Sequence, residues 1–370
     1  MMSAEPLGDE AALVTELVGD QAGAWELSGE LPRDLLGELG KRGLLCAEVG
    51  VEYGGLGASS LHNGEFTAHV GGLSSSLRSV MTSQGMAAWT IQRLGRPDQR
   101  KAALCQLTSG KLAAVGMSET GAGSDLSAMS TTVRYEGDWV VLDGNKVWVT
   151  GALYADLLVI FARSGNAGAV VAVPASAPGV HVERLAEPAG CRAAGHAVVR
   201  LESVRLPVSS VLGGGNQPLS MLVTIALAYG RTSVAWGCVG IARACVQAAV
   251  RHAKTRSQFG KPLAEHQLVA RHLAEQLADE QVATRVCEHA SRCWDSGSSE
   301  MIIASVLAKH VSAGCAARAA TSAWQVLGSA AARSDHVVAR AYQDAKLMEI
   351  IEGSNEMCQL MLAEHALSTI

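Results

Sequence analysis

No cluster of lysines and arginines interrupts the 370-residue chain, and its net charge is −5. A nucleic-acid partner would need a basic patch or stripe, so that class is excluded. Metal-ligand spacings are missing as well: there is no Cys-x-x-Cys, no His-Glu-x-x-His and no paired Cys/His set among nine cysteines and eleven histidines. Cys46, Cys105, Cys191, Cys238, Cys245, Cys287, Cys293, Cys315 and Cys358 mostly have apolar or small neighbours. They read as buried thiols of a reducing, cytoplasmic compartment, not as disulfides or metal ligands. The start, "MMSAEPLGDEAALVTEL", is acidic and lacks the basic-then-apolar order of a signal peptide. The longest unbroken apolar stretches, such as "ADLLVIFA", are too short for a membrane span. Internal repeats and low-complexity linkers are absent too.

What is present is an apolar fraction of 48% against 18% charged, the balance of a chain with a substantial buried core in two or three layers. From Ala11 to about Ser109 the pattern is helical; "LPRDLLGELGKRGLL" repeats leucine at three- and four-residue intervals. After Lys111 it changes. "STTVRYEGDWVVLDGNKVWVTGA" places β-branched and aromatic residues around Asp143-Gly144-Asn145, which predicts a hairpin turn there. "LLVIFAR", "GAVVAVPA", "GVHVERL" and "HAVVRLESVRLP" continue as short strands to about Gly213. Long alanine-rich helical segments follow. The expected fold is α+β and mostly α: an N-terminal helical domain (1–110), a middle β domain (111–213) and a C-terminal four-helix bundle (214–370).

Several short runs carry possible chemistry. "SETGAGSD" (118–125) is glycine-rich, so backbone N–H groups can approach an anion, with Ser124 able to donate too. As a lone loop it would be an ordinary turn. In "KVWVT" the strand period sets Trp148 and Thr150 on one face, opposite Val147 and Val149. The run "EIIEGSNEM" (349–357) puts Glu352 between two isoleucines and Gly353-Ser354-Asn355. It reads either as a helix end with a surface acid or as a carboxylate at the mouth of an apolar pocket, where flanking apolar residues would raise its pKa.

Four runs in this order resemble the acyl-CoA dehydrogenase family of flavoenzymes: "SETGAGSD", "KVWVTG" (146–151), "RSQFGKPLAEHQ" (256–267) and "DAKLMEIIEGSNE" (344–356). "GLLCAEVGVEYGGLG" also looks like the family's N-terminal pattern, so the likeness covers nearly the whole chain. The resemblance implies an FAD cofactor. Met117 backbone and Ser118 hydroxyl would meet the flavin's pyrimidine edge, and Ser124 the pyrophosphate or the thioester arm. Trp148 would lie against the isoalloxazine, with Thr150 near N5. Arg256, Phe259, Gln267, Gln325 and Gly328 would reach a cofactor across a subunit interface, which implies a homodimer or homotetramer. Ser329 replaces the usual second glycine of that stretch.

By the same resemblance Glu352 is the base that removes the α-proton of an acyl thioester while hydride passes to flavin N5. Arg231 and Gly353 would line the substrate, and Ser354 and Glu356 would contact the cofactor. A family variant carries its glutamate just before the arginine of the first long bundle helix; "LAYGR" has Gly230 there, leaving Glu352 as the base. Three departures put the thioester carrier in question. Ala228 stands where an aspartate usually engages pantetheine, Ile351 replaces the usual aromatic, and Gln359 and Glu364 replace basic positions. The carrier is thus coenzyme A or an acyl carrier protein, the latter with a short (hydroxy)acyl group of polyketide extender-unit synthesis. An electron acceptor completes the expected partners. An oxygen-using oxidase on the same fold and a flavin-free scaffold paralogue are the alternatives; a monooxygenase usually dispenses with the glutamate.

Overall fold

Among the described residues six α-helices come first: α1 (Gly8–Val18), α2 (Ala22–Ser28), α3 (Arg33–Lys41), α4 (Ser60–Leu73), α5 (Ser75–Leu94) and α6 (Pro97–Thr108). The structure is a computed structural model and describes residues 8–369. Ser74 both closes α4, donating its N–H to the Val70 carbonyl, and caps α5, accepting from the Leu77 N–H at 3.2 Å. One residue in extended conformation therefore turns the chain between two buried helices. Pro97 opens α6 at its first turn, where its missing N–H costs nothing, and Gln99 Oε1 accepts from the Arg96 N–H at 2.8 Å.

Seven strands form one sheet: β1 (Ala113–Gly116), β2 (Thr132–Glu136), β3 (Trp139–Val149), β4 (Leu157–Ser164), β5 (Ala167–Pro174), β6 (Val180–Arg184) and β7 (Ala197–Pro207). The order is β1-β4-β2-β3-β7-β6, with β5 also paired to β4; β4 runs parallel to β1 and β2, and the other pairings are antiparallel. The turn predicted at Asp143-Gly144-Asn145 is not a turn. Glu136 pairs with Trp139, so the β2–β3 hairpin closes at Gly137-Asp138, with Gly137 at φ +63°. Asp143-Gly144 lies inside β3 at a bulge against β7, where the register shifts between Leu142 and Gly144. A Cβ on Gly144 would sit 2.3 Å from Thr131 Oγ1, so close approach of the residue that leads into β2, not a chain reversal, requires glycine there.

The chain then returns to helix: α7 (Leu219–Thr255), α8 (Gln267–Asp295), α9 (Met301–Leu327), α10 (Val337–Met348) and α11 (Asn355–Thr369). α7 to α10 pack as the bundle and α11 lies on α9. The central layer is built on alanine and cysteine, among them Cys238, Ala242, Cys245, Ala316, Ala319, Ala320 and Ala323, all buried. Small side chains let these helices approach closely. Gly64 of α4 is an example: a Cβ there would sit 2.1 Å from the Trp236 Nε1 of α7. α7 is long and apolar enough to cross a bilayer by length and composition, which the count of unbroken apolar runs missed. Its apolar window is 72% buried inside the protein, against α4, α5, α8 and α9.

Candidate active site

The loop 349–354 between α10 and α11 is fixed from below by two buried cations. Lys309 of α9 donates to the carbonyls of Gly353 (2.6 Å) and Glu349 (3.3 Å), and Arg231 of α7 donates Nε–H to the Glu352 carbonyl (3.0 Å). Asn355 returns to Glu349 through its N–H (2.9 Å) and side chain (3.2 Å). The loop pays with backbone strain: Glu352 holds φ +54°, rare for a non-glycine residue, followed by Gly353 at +95°. Ser354 Oγ accepts from the Met357 N–H at 3.4 Å at the start of α11, and Glu356 is exposed in its first turn.

The result is a carboxylate aimed inward. Glu352 Oε2 is buried and has no hydrogen-bond partner among the described residues. Burial pushes its carboxyl above the usual range, opposed by the charges of Arg231, Lys309 and Arg78 in that order. The flanking isoleucines are not what desolvates it, as Ile350 is 55% exposed and Ile351 half-buried. The contacts come from α7 and α5. A Cβ built on Gly230 would lie 2.5 Å from Glu352 Oε2 and 3.0 Å from Met86 Sδ. Position 230, where the resemblance places the family variant's glutamate, therefore abuts the Glu352 carboxylate. Arg231 is buried beneath this loop.

A second set of predicted residues meets at the ends of β1 and β3. Met117 is buried and Ser118 half-buried; the Ser118 carbonyl accepts from the Val147 N–H (2.9 Å) and the Met117 carbonyl from Lys146 Nζ (3.0 Å). The simple strand alternation fails here. A bulge between Lys146 and Val149 puts Trp148 at φ +55° and turns its indole out, 53% exposed, edge-on to His196. Thr150, just past β3, shares a hydrogen bond with His196 Nδ1 (3.2 Å), and its carbonyl accepts from Ser83 of α5 (2.8 Å). Burial holds the His196 imidazole down at about 4, so it is neutral at working pH. α5 thus links the two sets, with Ser83 bonded to the Thr150 carbonyl and Met86 meeting Gly230, which adjoins Glu352. Ser124 stands exposed on the glycine-rich loop.

The remaining predicted residues lie apart from these. Arg256, Phe259, Gln267, Gln325 and Gly328 are all exposed, Phe259 at 96% and on a left-handed backbone at the tip of the 257–262 hairpin. Beside them, a groove of about 430 Å³ between the ends of α7 and α9 is lined by Arg251, His252, Lys254, Leu327, Ala330 and His336 among others. An aromatic side chain left in solvent beside a basic groove fits an adenine and a diphosphate supplied against this end of the bundle.

Three family models match in the same order as these elements: the acyl-CoA dehydrogenase N-terminal domain over residues 10–111, the middle domain over 114–204 and the C-terminal domain over 221–367. The chain belongs to the acyl-CoA dehydrogenase family. Among curated relatives it is 30% identical to the probable acyl-CoA dehydrogenase YngJ of Bacillus subtilis, covering 98% of this chain and 99% of that one. A solved structure described as FkbI, for biosynthesis of the methoxymalonyl extender unit of the polyketide immunosuppressant Fk520, is 62% identical, with a TM-score of 0.94 over 98% of this chain and all of that chain. A glutaryl-CoA dehydrogenase from Mycobacterium smegmatis in complex with FADH2 is 25% identical, with a TM-score of 0.92 over 99% and 95% of the two chains.

Sequence reasoning about this acyl-CoA dehydrogenase missed the residues that hold the site. Lys146 and Glu119 form a 2.8 Å ion pair with 0% and 4% of their side chains exposed, although both lie within quoted motifs. Burial works against the Glu119 charge, but Lys146, Ser130 and Thr131 outweigh it and hold the carboxyl at about 2. Burial lowers Lys146 to about 8, so the pair is charged at neutral pH. Lys309 and Arg78 were overlooked too. Each is a lone cation in a run of apolar and small residues, the signal that could have marked them. His289 and Cys293, one turn apart on α8, bring ligating atoms within 4.8 Å of each other and of Glu300, a grouping the spacing search passed over. The histidine and the glutamate are exposed.

Proposed function

We propose that the protein is an FAD-dependent dehydrogenase of acyl thioesters in which Glu352 removes the α-proton. The observation that carries this reading is the buried, unpartnered Oε2 of Glu352, on a loop whose carbonyls are pinned by Arg231 and Lys309. A base needs a raised pKa and a fixed position, and this arrangement supplies both. Bound FAD supplies the hydride acceptor. Trp148 offers its exposed indole as a flat wall, and Thr150, Ser118 and the Met117 backbone offer a polar edge beside it. Ser124 serves the pyrophosphate or the thioester arm, and Ser354 and Glu356 the cofactor side of the loop. Gly353, without a Cβ, lets the thioester pass close to the backbone, and the Glu352 N–H is a donor for its carbonyl. Arg231 acts on the base through the loop it holds.

Arg256, Phe259, Gln267, Gln325 and Gly328 would hold the adenosine diphosphate part of the cofactor from a second copy of the chain, in a homodimer or homotetramer. Phe259→Ala is expected to leave the fold intact and weaken FAD retention. Flavin absorbance per chain after gel filtration, with circular dichroism as control, checks this; full flavin content would remove Phe259 from the cofactor site.

The 62% identity to FkbI, described as for biosynthesis of a methoxymalonyl extender unit, supports a short acyl group of extender-unit synthesis as the substrate. An acyl carrier protein is the carrier this reading favours. Gln359 and Glu364, where the family favours basic residues, support it too. Anaerobic flavin bleaching by matched carrier-protein and coenzyme A thioesters decides between the carriers. Fast reoxidation in air would mark the oxidase alternative, and failure to take up FAD the scaffold.

Gly230 gives a sharper test of the base. Gly230→Ala pushes a methyl against Glu352 Oε2, the movable end of a side chain, so the fold should lose little stability. A base displaced by about 1 Å can cost roughly a hundredfold in rate. Stopped-flow flavin reduction is expected to slow by at least about tenfold; an unchanged rate would sink the assignment.

A further inference from the structure

The turn that joins α8 to α9 gathers a histidine, a thiol and a carboxylate for which the dehydrogenase reaction has no use. His289 and Cys293 stand four residues apart on α8, so their side chains leave one face of the helix a single turn apart. His289 Nε2 and Cys293 Sγ are 3.7 Å apart, and Glu300 brings a carboxylate oxygen within 4.8 Å of both. His289 and Glu300 are exposed, whereas Cys293 is buried. The group is therefore open to solvent on one side and rests on the protein interior on the other.

Backbone bonds hold the three residues in this arrangement. Gly297, at φ +63°, reverses the chain after α8, and its N–H returns to the Trp294 carbonyl at 3.0 Å. The Ser298 N–H then bonds the Cys293 carbonyl at 2.9 Å, and Ser298 Oγ accepts from the Glu300 N–H at 3.2 Å. The Glu300 carbonyl takes the Ala304 N–H at 2.8 Å, which fixes it at the start of α9. The charged neighbours are already satisfied, since Glu288 pairs with both Arg285 (2.8 Å) and Arg292 (3.2 Å). Among the described residues neither Glu300 nor His289 belongs to an ion pair, so both can coordinate without giving up a partner.

We infer that His289, Cys293 and Glu300 form a zinc site that clips the end of α8 to the start of α9. Zinc about 2.3 Å from a thiolate sulfur and about 2.1 Å from an imidazole nitrogen, at a tetrahedral angle, sets the two ligand atoms about 3.6 Å apart. The 3.7 Å between Cys293 Sγ and His289 Nε2 matches that edge. Rotation of the exposed Glu300 side chain brings its oxygen the remaining distance, and a water takes the fourth position. Thiolate and imidazole select zinc over magnesium or calcium, which take oxygen ligands. The Cys293 thiol gives up its proton to solvent on binding.

Such a clip would steady several contacts at once. Within two residues of Cys293, Ser291 Oγ accepts from Trp236 Nε1 of α7 (2.9 Å), and Asp295 accepts from the Ser60 N–H of α4 (2.6 Å). Trp294 packs on Trp89 of α5 with ring centroids 4.4 Å apart. Zinc there serves stability and not the reaction.

The test uses the full-length, FAD-loaded protein, stripped with EDTA and then dialysed against buffered zinc. Zinc content by plasma mass spectrometry is expected to reach about one per chain at roughly micromolar free zinc. Cobalt(II) in its place should add tetrahedral d–d absorption to the red of the flavin bands. Cys293→Ser should weaken zinc binding by at least about a hundredfold, and His289→Gln and Glu300→Gln each by at least about tenfold, since even outer-shell losses cost that much. Saturating zinc should raise the Tm of the parent by a few degrees, and the rise should vanish in Cys293→Ser. His289→Gln and Glu300→Gln alter exposed residues and carry the test should Cys293→Ser not fold. A parent that retains no more zinc than His289→Gln, or binding that none of the three substitutions weakens, overturns the inference.

Discussion

Lys146→Met is expected to destabilise the protein by about 3–5 kcal/mol at pH 7, the usual result of breaking a buried ion pair by removing one partner. The methionine fills a similar volume, so the loss comes from charge. Glu119 would keep its bonds from Ser130 and Thr131 but lose the ammonium that offsets its burial. Its carboxyl, held at about 2 in the native protein, should then rise toward or above the ordinary range. The sign of the pH dependence follows. A depressed folded pKa contributes stability that is present above the ordinary carboxylate range and lost only as pH falls toward 2. In the variant that contribution is gone, so the gap between the two proteins should be widest at neutral pH and narrow on acidification. Urea unfolding at pH 7 and at about pH 3, inside the window between the ordinary carboxylate value and the folded one, measures it. The same lysine anchors the Met117 carbonyl, so flavin uptake should weaken along with stability.

Glu352→Gln should retain FAD and lose reduction by substrate, slowing it by roughly a hundred- to ten-thousand-fold as general-base removal does. In the unsubstituted protein the reduction rate should rise with pH as the raised carboxyl ionises. For stability the sign is the reverse. A carboxyl whose folded pKa is raised is most favourable below the ordinary range and costs stability as pH rises through the folded value. Glutamine carries no such cost, so Glu352→Gln should be at least as stable as the parent at neutral pH and show no advantage in acid. A lower Tm at neutral pH would mean that the carboxylate serves the fold and not the reaction.

Much of this was legible in the chain because it depends on local order. The helical N-terminal block, the strand block and the alanine-rich bundle follow from periodicity, and Glu352-Gly353-Ser354 stands in one short run. The hairpin was misplaced because Asp-Gly serves a turn and a bulge alike. Both need glycine's backbone freedom, and only pairing with β7, distant in sequence, makes Gly144 a bulge. Trp148 departs from strand alternation for a related reason, since the bulge that exposes it is set by register with β7. Arg78, Lys309 and the Lys146–Glu119 pair escaped notice because their meaning lies in what faces them across helix seams and between strands. A lone cation in a small-residue run shows that something must compensate it, but the sequence does not say what. The contact of Arg231 with the Glu352 carbonyl is of the same kind, since it spans 121 positions.

The central claim is that a buried Glu352 carboxylate drives oxidation of an acyl thioester. Its most direct test is the flavin absorbance of the FAD-loaded protein after anaerobic addition of a short acyl thioester, followed side by side in the parent and in Glu352→Gln. The account predicts rapid bleaching in the parent and a flavin that stays yellow in the variant; equal bleaching in both, or none in the parent with any thioester, would contradict it.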